Sequence, residues 1–197
     1  AYYLRYANRI GFLLQVDSQL LSTYRFRSNI GQSNNYGIES LLEIDWLHLK
    51  SYGDEQQLWS LTTMLNYSYS NGRYALEENP AVDGKKIELV PQGIFRTALT
   101  VAYDNKYTVG VQWSWTGEQF ADATNANFSP DAVHGLIPAY QILDFYAKAQ
   151  WKQLSAEINV NNALNATYFT RRASGYPGPG ILPSDPRNVT FSLGWVF

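Results

Sequence analysis

The 197-residue chain contains no cysteine, one methionine and two histidines. Without cysteine it forms no disulfide and has no thiol nucleophile, and two isolated histidines do not make a zinc site by themselves. Charge is also scarce: Lys, Arg, Asp and Glu make up 16% of the residues, against about 25% in an average soluble domain, and the net charge is −2. This balance gives no support for nucleic-acid binding. Because no run of about 18 apolar residues is present, the sequence predicts no transmembrane helix.

Aromatic residues are abundant by contrast, with 15 Tyr, 9 Phe and 6 Trp, and apolar residues alternate with polar ones. The clearest case is the C-terminus, where one face of a strand would carry Val189, Phe191, Leu193, Trp195 and Phe197. Because successive side chains of a strand point to opposite faces, a period of two predicts strands with one apolar face. The alternation recurs in about nine segments, and helical spacing fits none of them as well.

Many of these segments run for about 10 to 15 residues, which exceeds the usual strand length and is enough to cross a hydrocarbon layer at a tilt. Aromatic residues gather near their ends, as in Trp113 with Trp115, where outer-membrane barrels carry aromatic girdles. A soluble antiparallel sandwich or lipocalin-like barrel explains the alternation equally well, but it does not explain the low charge. The predicted fold class is therefore all-β, a transmembrane antiparallel β-barrel, with Trp113, Phe145 and Leu193 facing acyl chains.

The connections between the predicted strands alternate in length. Long connections cover roughly 164–188, 120–139 and 72–92, and tight ones lie at 152–153, 104–106 and 17–19. Long loops at one end and short turns at the other are typical of outer-membrane barrels. The polar stretch 31–36 would be an unusually short loop on the long-loop side. Since about nine strands is an odd number and single-chain bacterial barrels have an even one, we expect the chain not to close by itself.

Six strings of residues carry a more specific signal. They are FRSNIGQSNNYGIESLLEI (26–44), VPQGIFRTALTVAYDNKY (90–107), GEQFADATNANF (117–128), GLIPAYQILDFYAKAQWK (135–152), EINVNNALNATYFTRRASGYPGPGILPSDPRN (157–188) and VTFSLGWVF (189–197). Together they resemble TonB-dependent outer-membrane receptors. The NNALNATYF segment and the aromatic-ended strand resemble such receptors in general, and YFTRRASGYPGPGILP resembles the ferric-citrate group.

The resemblance implies a barrel of the 22-stranded type that is filled by an N-terminal plug. Residues 1–197 would be its C-terminal segment of about nine strands, with the plug domain and the N-terminal strands absent. The implied function is active transport across the Gram-negative outer membrane of a ferric chelate, either ferric citrate or a siderophore, energised through TonB. Iron would travel within the chelate, so the chain is expected to need no cofactor, no metal site and no catalytic residue.

The resemblance also implies several partners and leaves two other readings open. The implied partners are outer-membrane lipid and lipopolysaccharide, the receptor's own plug domain, the TonB complex, the barrel-assembly machinery and the ferric chelate; nucleic acid is not among them. One alternative is the barrel of an outer-membrane secretion or surface complex, and another is import of cobalamin, haem or a glycan. An outer-membrane hydrolase is disfavoured because histidine is sparse and no nucleophile–base set is evident.

Candidate ligand contacts lie in the loop that follows the NNALN residues. Arg171 and Arg172 are adjacent, and Tyr168 and Tyr176 are nearby. Guanidinium groups bind carboxylates through paired hydrogen bonds and keep their charge at any relevant pH, which suits an anionic ferric chelate. The alternative is that both arginines pair with lipopolysaccharide phosphates or with an acid of a neighbouring loop such as Asp185.

Other polar residues on the predicted strands are expected to face the lumen and the plug. They are Arg5, Arg9, Arg25, Arg27, Arg96, Glu39, Glu43, Asp45, Glu157 and Asn159. Because their charges are mixed in sign, they suit hydrogen bonds and salt bridges to a plug better than an ion-selective pore. Glu118 and Asp122, which head a long loop, have no regular metal-ligand spacing and are expected to be loop structure.

The final strand resembles the signal that the barrel-assembly machinery reads. Its alternating aromatic and aliphatic residues are Phe191, Leu193, Trp195 and Phe197. An exposed strand edge of this kind can be bound by β-augmentation. The alternative is that Phe197 is only an interfacial anchor.

Overall fold

The computed structural model describes the chain apart from residues 18–21, 51–57, 77–79, 129, 131, 174, 176–178 and 197, and apart from the side chains of 9, 11–17, 22–30 and 49–50. The described residues form twelve strands and one short helix. They are β1 (Tyr2–Asp17), β2 (Ser22–Asp45), α1 (Trp46–Lys50), β3 (Trp59–Ala75), β4 (Gly93–Tyr103), β5 (Tyr107–Thr116), β6 (Gln119–Phe120), β7 (Leu136–Ile137), β8 (Tyr140–Trp151), β9 (Leu154–Asn161), β10 (Phe169–Ala173), β11 (Gly180–Pro183) and β12 (Asn188–Trp195).

Eight of these strands make one antiparallel sheet in the order β1-β2-β3-β4-β5-β8-β9-β12. Each strand pairs with the next long strand in the sequence, and the two short hairpins, β6–β7 and β10–β11, lie within long connections. β1 and β12 are the two edges of the described sheet and do not pair with each other. The prediction of an all-β antiparallel fold that is a fragment of a larger barrel is confirmed.

The count of about nine strands was wrong, because two predicted strands are the two halves of β2. Residues 31–36, predicted to be a loop, lie inside β2 and pair with both β1 and β3. The pairing of β2 with β1 is irregular where Arg9 is opposite Gly31, whose φ is +102°. The chain therefore forms a β-bulge at the position where a turn was predicted. Polar residues do not end a strand whose backbone groups are satisfied by neighbours on both sides. The open order of the sheet, rather than an odd strand number, is what indicates a larger barrel.

The predicted tight turn at 17–19 is at the opposite end of the sheet from the one expected. Asp17 pairs with Ser22, whereas Gln32 is already paired with Ala75 at the end of β3. The β1–β2 hairpin therefore projects past β3 at the end where the connections β3–β4, β5–β8 and β9–β12 lie, called here the long-loop end. The connecting residues 18–21 are outside the described part of the chain.

The two remaining tight turns are confirmed at 104–106 and 152–153. In the first, Asp104 and Asn105 have φ of 51° and 50°, and the Lys106 N–H donates to the Tyr103 carbonyl over 2.9 Å. Two central residues at positive φ define the type I′ turn, whose twist matches that of a hairpin. A side-chain hydrogen bond to Asp104 raises the pKa of Lys106 above its ordinary value.

The short helix α1 follows β2 at the short-turn end. The Asp45 carboxylate accepts hydrogen bonds from the backbone N–H groups of Leu47 and His48, both at 3.1 Å, which satisfies two of the free donors of a helix N-terminus. Within the described residues, no helix is long and apolar enough to span a bilayer.

One face of the sheet is apolar and uncovered. Directly opposed residues share a face, and one such row across five strands is Leu99, Val111, Phe145, Val160 and Val189. Phe145 is 43% exposed and Leu193 is 65% exposed, and Trp113 is on the same face. In the described chain the buried apolar side chains are only Tyr74, Ile87 and Ile137. A soluble sandwich would seal its apolar face in a core, so this alternative is excluded.

On the opposite face, called here the polar face, one close contact depends on a glycine. The Tyr146 ring crosses Gly110, and its hydroxyl is 2.8 Å from the Thr100 hydroxyl on the strand beyond. A Cβ atom at position 110 would overlap the Tyr146 ring. Because Gly110 has no side chain, the Tyr146 side chain of β8 can cross β5 and reach the Thr100 hydroxyl of β4.

Gly110→Ala is expected to destabilise the assembled protein by about 1–3 kcal/mol, the usual range for overpacking a close contact. In a Tyr146→Ala background the same change is expected to cost little, because the ring is gone. Urea unfolding of the full protein in lipid vesicles measures both. Equal losses in the two backgrounds would contradict the assigned contact.

Candidate functional site

The polar face carries five of the residues that were predicted to face the lumen. The strand register places Glu39, Glu43, Arg96, Glu157 and Asn159 on this one face. Glu157 is directly opposite Lys148 and accepts a 2.7 Å hydrogen bond from the Asn159 amide. Contact between these side chains and a plug remains a prediction.

Arg5 does not belong to this group. It pairs with Asn34, which shares a face with Tyr36 and Ile38, and its guanidinium donates to the Gln32 side chain over 3.1 Å. The alternation of β1 is thus reversed relative to the prediction. This part of β1 pairs with residues 33–37 of β2, which in turn pair with the end of β3 that extends beyond β4.

The polar face forms a cavity of about 500 Å3 towards the long-loop end. Its lining comes from β3, β4, β5, β8 and the β9–β12 connection: Met64, Arg96, Gln112, Ser114, Thr116, Tyr140, Ile142, Asp144, Tyr168 and Thr170. Tyr140 stacks on Tyr168 with ring centroids 4.6 Å apart and planes inclined by 25°. The stack connects the sheet to the long connection above it.

The two charged residues of the cavity lining, Arg96 and Asp144, differ in whether their side chains have a hydrogen-bond partner. The Asp144 carboxylate accepts a 2.8 Å hydrogen bond from the Asn162 backbone N–H. The Arg96 side chain is exposed and makes no hydrogen bond or ion pair with another described residue. The guanidinium is therefore the group that is available to an incoming anion.

Three long connections cover the long-loop end, and we call them loop A (76–92), loop B (117–139) and loop C (162–187). Loop C contains the residues that were predicted to contact a ligand. Arg171 is exposed and has no described partner, Tyr168 lines the cavity, and Tyr176 lies outside the described residues. The structure brings Tyr168 to the cavity but does not place Arg171 there.

Arg172 is held against loop B. Its guanidinium donates to the carbonyls of Ala132 and Leu136, both over 3.0 Å, and lies 5.2 Å from the centre of the Phe169 ring. This anchoring role was missed by sequence reasoning, because its acceptors are backbone carbonyls, which have no sequence signature. Whether Arg172 also contacts a ligand remains a prediction.

The NNALN residues fold into a tight turn at the start of loop C, in which the Asn162 side chain is buried. Asn162 is 3% exposed, and its side chain exchanges hydrogen bonds of 2.8 and 2.9 Å with the backbone of Ala166 and donates to the Asp185 carbonyl over 3.3 Å. Asn165 accepts from the Arg187 N–H over 3.0 Å. Both asparagines have positive φ, 49° and 53°. Asparagine tolerates this left-handed conformation better than most residues, and this preference is the feature of the sequence that could have indicated the turn.

Asp122 has a structural role in loop B. Its carboxylate accepts hydrogen bonds from the Thr124 N–H over 2.9 Å and from the Gly135 N–H over 3.2 Å, and Glu118 is exposed. These contacts agree with the expectation of loop structure. Across the described residues, no group of three or more acidic or histidine side chains is placed to hold a metal ion.

The last strand, β12, is an exposed edge. It pairs with β9 from Asn188 to Trp195, and each of its residues is exposed. Phe191, Leu193 and Trp195 share the apolar face with Ile158 and Leu154 of β9. Phe197 lies outside the described residues, and recognition of this strand by the assembly machinery remains a prediction.

Comparison with known proteins agrees with this architecture. Residues 1–163 match the family described as TonB dependent receptor-like, beta-barrel. Three similar solved structures are the unliganded ferric citrate transporter FecA (21% identity, TM-score 0.66, 85% of this chain and 24% of that one), the receptor FpvA of Pseudomonas aeruginosa PAO1 bound to pyoverdine (23%, 0.61, 99% and 26%) and the copper transporter OprC (12%, 0.69, 99% and 28%). The chain thus spans about a quarter of their length. No curated protein sequence matches it.

Proposed function

Since the chain belongs to the TonB-dependent receptor-like β-barrel family, we propose that it forms part of the wall of an outer-membrane receptor that imports a ferric chelate with energy supplied through TonB. The resemblance found in the sequence is confirmed at the level of the family. The proposed location is the Gram-negative outer membrane, with the apolar face in lipid and the long-loop end outside.

The observation that carries the proposal is the cavity on the polar face. It contains the Arg96 guanidinium, which has no hydrogen-bond or ion-pair partner among the described residues. The stacked rings of Tyr140 and Tyr168 and the neutral hydrogen-bonding group of Gln112 complete this part of the lining. A ferric chelate presents anionic and hydrogen-bonding groups on its surface, which such a lining would bind. Iron would be coordinated by the chelator, so no metal ligand is required from the wall.

A chelate is favoured over a bare metal ion by the composition of the chain. Of the similar structures, two are named for ferric citrate transport and pyoverdine binding and one for copper transport. Copper sites are built from cysteine, methionine and histidine ligands, and this chain has no Cys, one Met and two His. Ferric citrate and a siderophore remain the two candidate cargoes within the proposed class.

Arg96→Gln is expected to weaken the binding of the chelate by roughly ten- to a hundredfold, because loss of one charge-assisted hydrogen bond costs roughly 1.5–3 kcal/mol. The measurement is equilibrium binding of ferric citrate and a panel of ferric siderophores to the full-length receptor in vesicles, paired with radioactive iron uptake by cells. Lys148→Gln is the matched control, since it removes a positive charge from the same face outside the cavity. Equal affinity for both variants and the unaltered receptor would refute the role of Arg96.

We propose two further contacts at the long-loop end. Arg171 would meet the anionic chelate before it enters the cavity, and Tyr168 would contact it at the cavity wall. Exposure of the first and the position of the second in the lining support these roles. Tyr176 is proposed only on its place in the sequence, and lipopolysaccharide phosphate is the competing partner for Arg171.

A further inference from the structure

The apolar face of the sheet contains an open cavity of about 440 Å3 that spans β4, β5, β8 and β9. Its lining is almost entirely apolar and includes Val101, Val109, Ala147 and Ile158, which oppose one another in a single row across the four strands. Ala147 is the smallest side chain of that row, so the surface is lowest on β8. Phe145 lines the same cavity from the side of the long-loop end.

The depression continues from this cavity to the short-turn end of the sheet. On the apolar face β8 carries Phe145, Ala147, Ala149 and Trp151 in succession, and Ala149 is directly opposite Ala156 of β9. Three alanines therefore lie between two large aromatic side chains. We call the cavity and these three alanines the alanine groove. At about 3.3 Å per residue and a tilt of about 40°, the groove extends about 15 Å along the bilayer normal, which is the thickness of one leaflet of a hydrocarbon core of about 30 Å.

The end of the alanine groove at the short turns carries an aromatic ring and a positive charge. Trp151 is exposed, and the Lys152 Nζ atom lies 5.9 Å from the centre of its ring. Lys152 makes no hydrogen bond or ion pair with another described residue. The neighbouring turn lies beside it, because the Gln150 N–H donates to the Lys106 carbonyl over 2.7 Å. Lys106 is paired with Asp104, so Lys152 is the unneutralised charge of the two turns.

This combination of groups is complementary to a phospholipid. An acyl chain would lie along the alanines, where it gains contact with more of the protein surface than on a row of large side chains. Tryptophan is favoured at the level of the lipid head groups, and the Lys152 ammonium group would face the phosphate. Because the proposed location puts the long-loop end outside, the short turns lie at the leaflet that contains phospholipid and not lipopolysaccharide.

We propose that the alanine groove binds one acyl chain of an anionic phospholipid of the inner leaflet, with the lipid head group at Lys152. The inference rests on the proposed outer-membrane location, but it holds whatever cargo the receptor carries. It differs from the general contact of a barrel with lipid in two respects. The bound lipid is selected by the charge of its head group, and it is retained because the surface is depressed at Ala147.

Native mass spectrometry of the full-length receptor with an equimolar mixture of phosphatidylglycerol and phosphatidylethanolamine tests the role of the charge. Both lipids carry a phosphate, but only phosphatidylglycerol has a net negative charge, and we expect the unaltered receptor to retain it in preference. Lys152→Gln is expected to reduce this preference roughly fivefold, which is the contribution of one lysine near a charged membrane surface. Lys85→Gln is the matched control, because it removes an exposed lysine at the long-loop end, and it is expected to leave the preference unchanged.

Ala147→Leu tests the groove separately from the charge. The larger side chain would fill the depression, so we expect retention of both lipids to fall several-fold while their ratio is unchanged. Val189→Leu is the matched control, because Val189 is exposed on the same face outside the cavity. Ala147→Val serves if the leucine variant does not assemble, and heat-dependent gel migration verifies the folded barrel of each variant.

Two results would overturn the inference. One is an equal preference for phosphatidylglycerol in Lys152→Gln and Lys85→Gln, and the other is equal retention of lipid in the Ala147 variant and Val189→Leu. Uptake of radioactive iron by cells is the separate measure of the proposed transport, and Lys152→Gln is expected to leave it normal. Failure of the lipid site is therefore distinguishable from failure of the proposed function.

Discussion

Leu99→Arg is expected to reduce the stability of the membrane-embedded barrel by about 2–4 kcal/mol and to lower strongly the amount of folded receptor in the outer membrane. Leu99 lies in the middle of β4 on the apolar face and is 43% exposed. An arginine on the lipid-facing surface of a barrel costs most at the bilayer midplane, because its charge loses its hydration there. Urea unfolding in vesicles and heat-dependent gel migration measure the two effects.

Ala98→Arg is the matched control on the same strand. Ala98 neighbours Leu99 but lies on the polar face, opposite Gln112 and Met64, so the same guanidinium would enter an aqueous or plug-filled interior. We expect near-normal assembly of this variant. Similar losses for the two substitutions would mean that the apolar face does not contact lipid, and the proposed location would fall with it.

Asn162→Ala is expected to destabilise loop C by about 3 kcal/mol. The substitution removes three hydrogen bonds, two with the half-buried backbone of Ala166 and one to the Asp185 carbonyl, and each is worth roughly 1 kcal/mol. It also forces alanine into a left-handed conformation. The expected result is faster proteolysis of loop C and a lower urea midpoint of the full receptor.

Asn161→Ala provides the comparison one residue earlier. Asn161 is exposed at the end of β9, and its side-chain amide donates a hydrogen bond to the Asn188 side-chain oxygen over 2.8 Å. Its replacement is expected to cost well under about 1 kcal/mol. Asn162→Gly separates the two causes, since glycine accepts the positive φ but restores no bond. If Asn162→Ala lowers the stability no more than Asn161→Ala does, the turn at Asn162 does not stabilise loop C.

The positions of two segments illustrate where sequence reasoning stops. The stretch 31–36 is polar and therefore read as a loop, yet it pairs with strands on both sides. Arg5 follows the alternation of β1 but lies on the face opposite to the one expected. The polarity of a segment indicates which side chains favour water. It does not indicate which distant strands the backbone of that segment pairs with, and this pairing decides both the strand at 31–36 and the face of Arg5.

Arg172 shows the same limit at the candidate site. Two adjacent arginines in a loop were equivalent in the sequence, and the fold distinguishes them. Arg172 spans two carbonyls of loop B, whereas Arg171 is exposed and has no described partner. The cavity around Arg96 is likewise assembled from four strands and loop C, so no local string of residues could reveal it.

The sequence alone determined the class of the fold, the two faces of the long central strands and two of the short turns, because alternation with a period of two and turn chemistry are local properties of the chain. It indicated the family through the resemblance of six strings of residues to TonB-dependent receptors. The strand number, the position of the β1–β2 hairpin, the cavity and the bonds between loops B and C were decided only by the tertiary structure. Each of these depends on backbone groups that meet across large sequence separations, and every backbone N–H and C=O is chemically alike whatever side chain it carries.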